Sequence, residues 1–173
     1  MTSILKVTEI QDPTNGNTAL TIDSSGRVSR SVVPAWRVGL SANQTISQGS
    51  STVDVTFDNS STENCFIQGG CTLSSGVITV PIAGLYQINT TIRMNSVSAN
   101  YLEIYMTIND VRSGFNNYSY QLIGSPNSSY DSGSVSSVFS LSANDNVRIE
   151  VFGGGDTSHA VSGYSVFSGV FLG

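Results

Sequence analysis

From Tyr101 to Ile108 apolar and polar side chains alternate without a break. Leu102, Ile104, Met106 and Ile108 point one way; Tyr101, Glu103, Tyr105 and Thr107 point the other. A period of two is that of a β-strand with one buried face and one wet face. Residues 84–94 repeat it, with Tyr86, Ile88, Ile92 and Met94 inward and Gln87, Asn89, Thr91 and Arg93 outward. The same rhythm predicts strands at 35–40, 52–57, 76–81, 115–123, 134–141, 146–153 and 164–172. No window has the 3.6-residue period of a helix. Short strands at this spacing predict an all-β, antiparallel sandwich or barrel. The last strand is apolar on both faces: Tyr164, Val166, Val170 and Leu172 on one, Phe167 and Phe171 on the other. In a sandwich, such a terminal strand finds its second partner in a neighbouring subunit.

Residues 1–33 differ. Two short alternating stretches, LKVTEI and ALTIDSSGRVS, flank a turn containing Pro13 and Gly16. Their apolar positions, Leu5, Val7, Ile10, Leu20, Ile22 and Val28, are too few for a core of their own. This segment reads as an extended arm that pairs in an oligomer or docks on a larger body, and residues 34–173 as the domain proper.

Of the 173 residues 39% are hydrophobic, enough for a core, and only 11% are charged, against roughly 25% in an average domain. Ser, Thr, Asn and Gly make the surface polar and nearly uncharged, as suits a particle exterior. A net charge of −5 with seven scattered basic residues argues against nucleic-acid binding, which needs a basic patch. No apolar run is long enough for a membrane-spanning helix, and MTSILKVTEIQDPTNG carries no basic stretch followed by an apolar one, so no secretory signal is expected. Cys65 and Cys71, in CFIQGGC, are close enough in sequence for a loop disulfide or can remain free thiols.

VPIAGLYQINTTIRMN resembles the central signature of the complement globular-head family, a trimeric jelly-roll family related to the tumour-necrosis-factor fold. Pro81, Gly84 and Tyr86 fill its Pro-x-x-Gly-x-Tyr pattern. FSLSANDNVRIEVFG (139–153) and YSVFSGVFLG (164–173) resemble two further strands of that family, and VPAWRVGLSANQTI its opening strand more loosely. The Pro81–Gly84 corner would let the chain leave one sheet and start the next. The resemblance covers about residues 34–173 and implies an antiparallel jelly-roll β-sandwich that assembles as a homotrimer. No Gly-X-Y repeat of the kind that forms the collagen stem before many such heads occurs in these residues. The arm resembles short N-terminal modules of structural proteins of tailed bacteriophages. Together these imply a virion protein, assembled in the host cytoplasm and displayed on the particle exterior as a short fibre, fibre tip or capsid decoration protein, and attached to other virion proteins through residues 1–33. The alternative is a host-receptor or glycan-binding adhesion module.

Neither catalytic nor cofactor-binding residues stand out. The one histidine, His159, follows Asp156 by three residues in a serine-rich chain, and no nucleophile elbow or metal-ligand spacing is present. Five Asn-x-Ser/Thr sequons, at Asn43, Asn59, Asn89, Asn117 and Asn127, follow from the composition. The trimer contact is expected at Tyr164, Phe167, Phe171 and Leu85, near the threefold axis or in the core beside it. Strand reversal gathers loops 95–100, 124–130 and 153–163 at an exposed tip. There Tyr130, Asp156 and His159 are the candidates for contact with a saccharide, and three copies of Asp156 are the candidate ligands of an axial cation.

Overall fold

The computed structural model describes residues 7–11, 14, 18–30, 33–47, 52–59, 64–98, 101–112, 118–124, 127–154 and 158–173. The chain divides into two compact units, residues 1–33 and 34–173. In the first, β1 (Glu9–Gln11), β2 (Thr18–Ile22) and β3 (Val28–Arg30) form an antiparallel sheet in sequence order. The turn between β2 and β3 is held by Asp23, whose carboxylate accepts from the backbone N–H groups of Ser25 and Arg27 at 2.8 and 2.9 Å and pairs with the Arg27 guanidinium. Ile10 and Val28 are exposed on this unit.

The second unit contains thirteen strands among its described residues: β4 (Ala35–Gly39), β5 (Gln44–Ser47), β6 (Val53–Asp54), β7 (Phe66–Gln68), β8 (Thr72–Ser74), β9 (Val77–Thr79), β10 (Gly84–Ser98), β11 (Tyr101–Ile108), β12 (Tyr118–Gly124), β13 (Asn127–Leu141), β14 (Asn146–Gly154), β15 (Ser158–Val161) and β16 (Val166–Phe171). They form two sheets. In the first, β10 pairs with β13 along nearly its whole length; on its other side it pairs with β16 through Tyr86–Thr91 and with β15 through Met94 and Asn95. β4 and β7 continue beyond β16, and β5 beyond β15. The second sheet runs β12-β11-β14-β9-β8, with β6 also on β14. All of these pairings are antiparallel.

The core lies between the sheets. Ile88, Ile92 and Met94 of β10 and Leu102, Ile104 and Met106 of β11 are fully buried, as the alternation requires. An aromatic group closes one end: Trp36 packs edge-on against Phe167, Phe57 lies against Phe167, and Tyr86 against Phe171, at ring separations of 5.2–5.6 Å.

The Pro81–Gly84 corner carries the chain from β9 in the second sheet to β10 in the first. Gly84 has φ +147°, and a Cβ there would meet the Phe171 ring at 2.5 Å, so both conformation and space demand glycine. Tyr86 donates its hydroxyl to the Ile82 carbonyl at 2.9 Å. The spacing of proline, glycine and tyrosine thus has a physical meaning: the tyrosine ring fills the core while its hydroxyl satisfies the corner.

Several boundaries differ from the sequence expectation. The strand expected at 52–57 narrows to β6, although Val55 and Phe57 remain buried. Strands β5, β7, β8 and β15, of three or four residues each, are too short to show a period. The expected tip loops are mostly strand. β10 runs on to Ser98, β13 begins at Asn127, and Ser158–Val161 pairs with both β5 and β10. These Ser- and Asn-rich stretches offer little apolar contrast in the sequence, so their pairing shows no period there.

Candidate interaction faces

The outward face of the first sheet has a graded character. At one end Leu85, Val138, Val170 and Leu172 are exposed together. Their proximity follows from register: Gln87 is opposite both Val138 and Val170, and Leu85 exchanges backbone hydrogen bonds with Leu172 and Gly173. The middle is polar, with Asn89 and Gln87 hydrogen-bonded to Ser136, and Thr91 to Ser134. At the far end the Arg93 guanidinium lies 4.3 Å from the centre of the Tyr130 ring and 5.0 Å from that of Tyr164. Tyr164 is 78% exposed. A cation over two aromatic faces holds both rings in place by electrostatic attraction to their π-systems.

The four residues expected at a subunit contact therefore divide. Leu85 and Tyr164 are exposed at opposite ends of this face. Phe171 is half-buried against Tyr86. Phe167 is 0% exposed; it points into the core against Trp36 and Phe57, and it offers no surface to a partner.

The two described members of the expected apical trio lie on opposite faces of the first sheet. Tyr130 belongs to β13, opposite Asn95, and its ring lies on the outward face with Arg93. His159 is only 4% exposed. It points inward from β15, its ring in the space left by Gly153, where a Cβ would lie 2.5 Å from Cε1. The expectation of an accessible histidine is thereby corrected: β15 is a paired strand, not a loop. Asp156 lies outside the described residues. Among the described residues no group of three or more His, Cys, Asp or Glu side chains could hold a metal ion. Cys65 and Cys71 are free thiols; burial pushes Cys71 up to about 11.

The outward side of the second sheet carries an ion network that sequence spacing did not reveal. Glu150, its side chain 5% exposed, pairs with Arg112 and accepts from Thr107 and Thr52 hydroxyls at 3.2 Å each. Arg148 bridges Asp54 at 3.1 Å and Asp110 at 2.6 Å. Burial raises the Glu150 pKa, but the Arg112 hydrogen bond and charge, with the two threonines, bring it below the ordinary carboxylate value. For Asp54 burial wins over Arg148, and the pKa is raised. Every member is a partner of another, which describes a structural clasp over β6 rather than a reactive centre.

No family model matches the chain, and no curated protein matches it. Among solved structures, murine APRIL at pH 5.0 is similar, with a TM-score of 0.58 and 11% identity over 81% of this chain and 99% of that one. APRIL is a tumour-necrosis-factor-family protein. At that identity the likeness establishes architecture alone: the chain has a tumour-necrosis-factor-like jelly-roll fold.

Proposed function

We propose that this protein is a non-enzymatic structural component of a phage virion. In this reading it is a homotrimeric short fibre, fibre tip or capsid decoration protein on the particle exterior. The head is residues 34–173, and residues 1–33 attach it to other virion proteins. The observation that carries the reading is the outward face of the first sheet. Leu85, Val138, Val170 and Leu172 form an apolar group on a molecule whose surface is otherwise rich in hydroxyls and amides. Exposed apolar groups of this kind mark interfaces. An N-terminal sheet that forms its own unit, and a head that has its own core, support a division between attachment and display. The resemblance of that segment to tailed-phage modules supplies the virion context.

Light scattering on the purified chain tests the assembly: the expected mass is three times 18.2 kDa, and a single-chain mass at micromolar concentration overturns the trimer. Immunogold labelling of particles purified from the producing host tests the location. Gold on the particle exterior is expected, and label confined to soluble protein overturns the virion role.

A further inference from the structure

The outward face of the second sheet bears an aromatic row with no part in the ion network beside it except through Tyr105. Along β11 the outward residues are Tyr101, Glu103, Tyr105 and, within the ion network, Thr107. Register places Leu122 and Phe152 on either side of Glu103, and Tyr120 beside Tyr105. Tyr105 and Tyr120 are stacked, with centroids 5.8 Å apart and planes at 23°. Tyr101 packs on Phe152 at 5.8 Å. It also occupies the space of a missing side chain: a Cβ at Gly154 would lie 2.3 Å from its Cε1. The ring thus rests on the Gly154 backbone and still exposes 38% of its surface. Tyr120 and Leu122 are more exposed still. Between the two aromatic pairs, Glu103 accepts the Tyr105 hydroxyl at 2.5 Å through Oε2. Among the described residues no basic side chain pairs with Glu103.

We infer that this face binds a neutral oligosaccharide, with Tyr101 as its stacking platform and Glu103 as the acceptor for sugar hydroxyls. A pyranose has one face of C–H bonds, apolar and slightly positive, which suits the negative face of an aromatic ring. Its hydroxyls are donors, and an ionised carboxylate has acceptor capacity beyond the one bond Glu103 already makes. Four residues of strand separate Tyr101 from Tyr105, about 13 Å, longer than one sugar ring, so the row fits a chain of sugars. Charge selects among glycans. Glu103 repels a carboxylate or sulfate, and the nearby cation, Arg112, is committed to Glu150. This site lies on the sheet opposite the face assigned to subunit contact, so it goes beyond the structural role and does not depend on it.

Native electrophoresis through gels containing dextran, mannan, galactomannan or hydroxyethylcellulose, with hyaluronate and heparin as anionic counterparts, tests the inference. Retardation by at least one neutral polysaccharide and by neither anionic one is expected. Tyr101→Ala should weaken it at least tenfold and Glu103→Gln several-fold, while Arg93→Ala, on the other sheet, leaves it unchanged. Circular dichroism melting identifies any variant that fails to fold; if Tyr101→Ala does, Glu103→Gln and Tyr120→Ser carry the test. Passage unretarded through every neutral gel overturns the site, as does retardation unchanged in the folded variants. Loss of oligomer mass in Tyr120→Ser would also overturn it, by showing the face to be covered by a second copy of the chain.

Discussion

Gly169 in β16 lies directly beneath the indole of Trp36. A Cβ placed on it would sit 2.2 Å from Cζ2 and 2.3 Å from Cη2. The contact arises from register, since Gly169 and Trp36 are opposite one another in adjacent strands. The glycine lets the largest side chain of the core lie flat on its neighbour. Trp36 then reaches Phe167 edge-on at 5.6 Å. Gly169→Ala must push the indole out of this arrangement. Overpacking of this kind costs about 1–3 kcal/mol, measurable as a lower midpoint in chemical denaturation with an unchanged slope.

The apolar end of the first sheet's outward face predicts a separable assembly defect. Leu85 and Leu172 are exposed in the single chain, so a charge at either position costs the isolated head little, typically within about 0.5 kcal/mol for a surface site. In an obligate interface, which buries on the order of 2,000 Å² or more, the same charge is desolvated and unpaired. Leu85→Arg and Leu172→Arg should therefore reduce the mass in light scattering to one chain and leave the far-ultraviolet circular dichroism unchanged. Phe167→Ala should do the reverse: its side chain has no exposed surface, and its loss should lower stability by about 3–5 kcal/mol.

The two thiols should differ in reactivity. Cys71 is buried, and burial pushes its pKa up to about 11, so little thiolate is present near neutrality and the reagent has no path to it. Cys65 is half-buried beside β7. Titration with a disulfide reagent at pH 8 should modify Cys65 first and Cys71 only after denaturant is added. Two thiols reacting at one fast rate in the native protein would contradict the burial of Cys71.

What the sequence made legible follows the physics of each element. Where Leu102, Ile104, Met106 and Ile108 alternate with polar neighbours, the pattern is a direct consequence of one sheet face meeting the core. The central motif of the jelly-roll resemblance, with Pro81, Gly84 and Tyr86, describes a corner that is local in sequence and so could be read there. The interaction faces were not local. Arg93 and Tyr130 are brought together by the pairing of β10 with β13, and Tyr164 reaches them from the turn before β16. Tyr101 owes its exposed ring to Gly154, a residue of another strand. His159 was misplaced for the complementary reason: a histidine in a glycine- and serine-rich stretch looks like a loop residue until β5 and β10 pair with its strand.

The ion network yields a pH dependence whose sign can be worked out. Glu150 has a folded-state pKa below its ordinary value: burial raises it, but the Arg112 hydrogen bond and charge and the Thr107 and Thr52 hydroxyls outweigh that. A carboxylate with a depressed folded pKa contributes stability that is fully present above its unfolded pKa, about 4.3, and is lost as pH falls through the folded value. Asp54 opposes this. Its raised pKa, set by burial against the pull of Arg148, means that protonation favours the folded state, so its contribution grows as pH falls. The wild-type profile mixes the two, and because the Glu150 charge also helps to raise Asp54, Glu150→Gln removes the first contribution and weakens the second. The difference in unfolding free energy between wild type and Glu150→Gln should be constant from pH 7 to about 5 and shrink below it. Arg112→Met should cost more than Glu150→Gln at pH 7, by about 1–3 kcal/mol, because it leaves a buried carboxylate without its counter-charge. Lowering the pH should then relieve Arg112→Met, since a protonated Glu150 no longer needs the guanidinium. A penalty for Arg112→Met that stays the same from pH 7 to pH 4 would show that the guanidinium acts by packing alone.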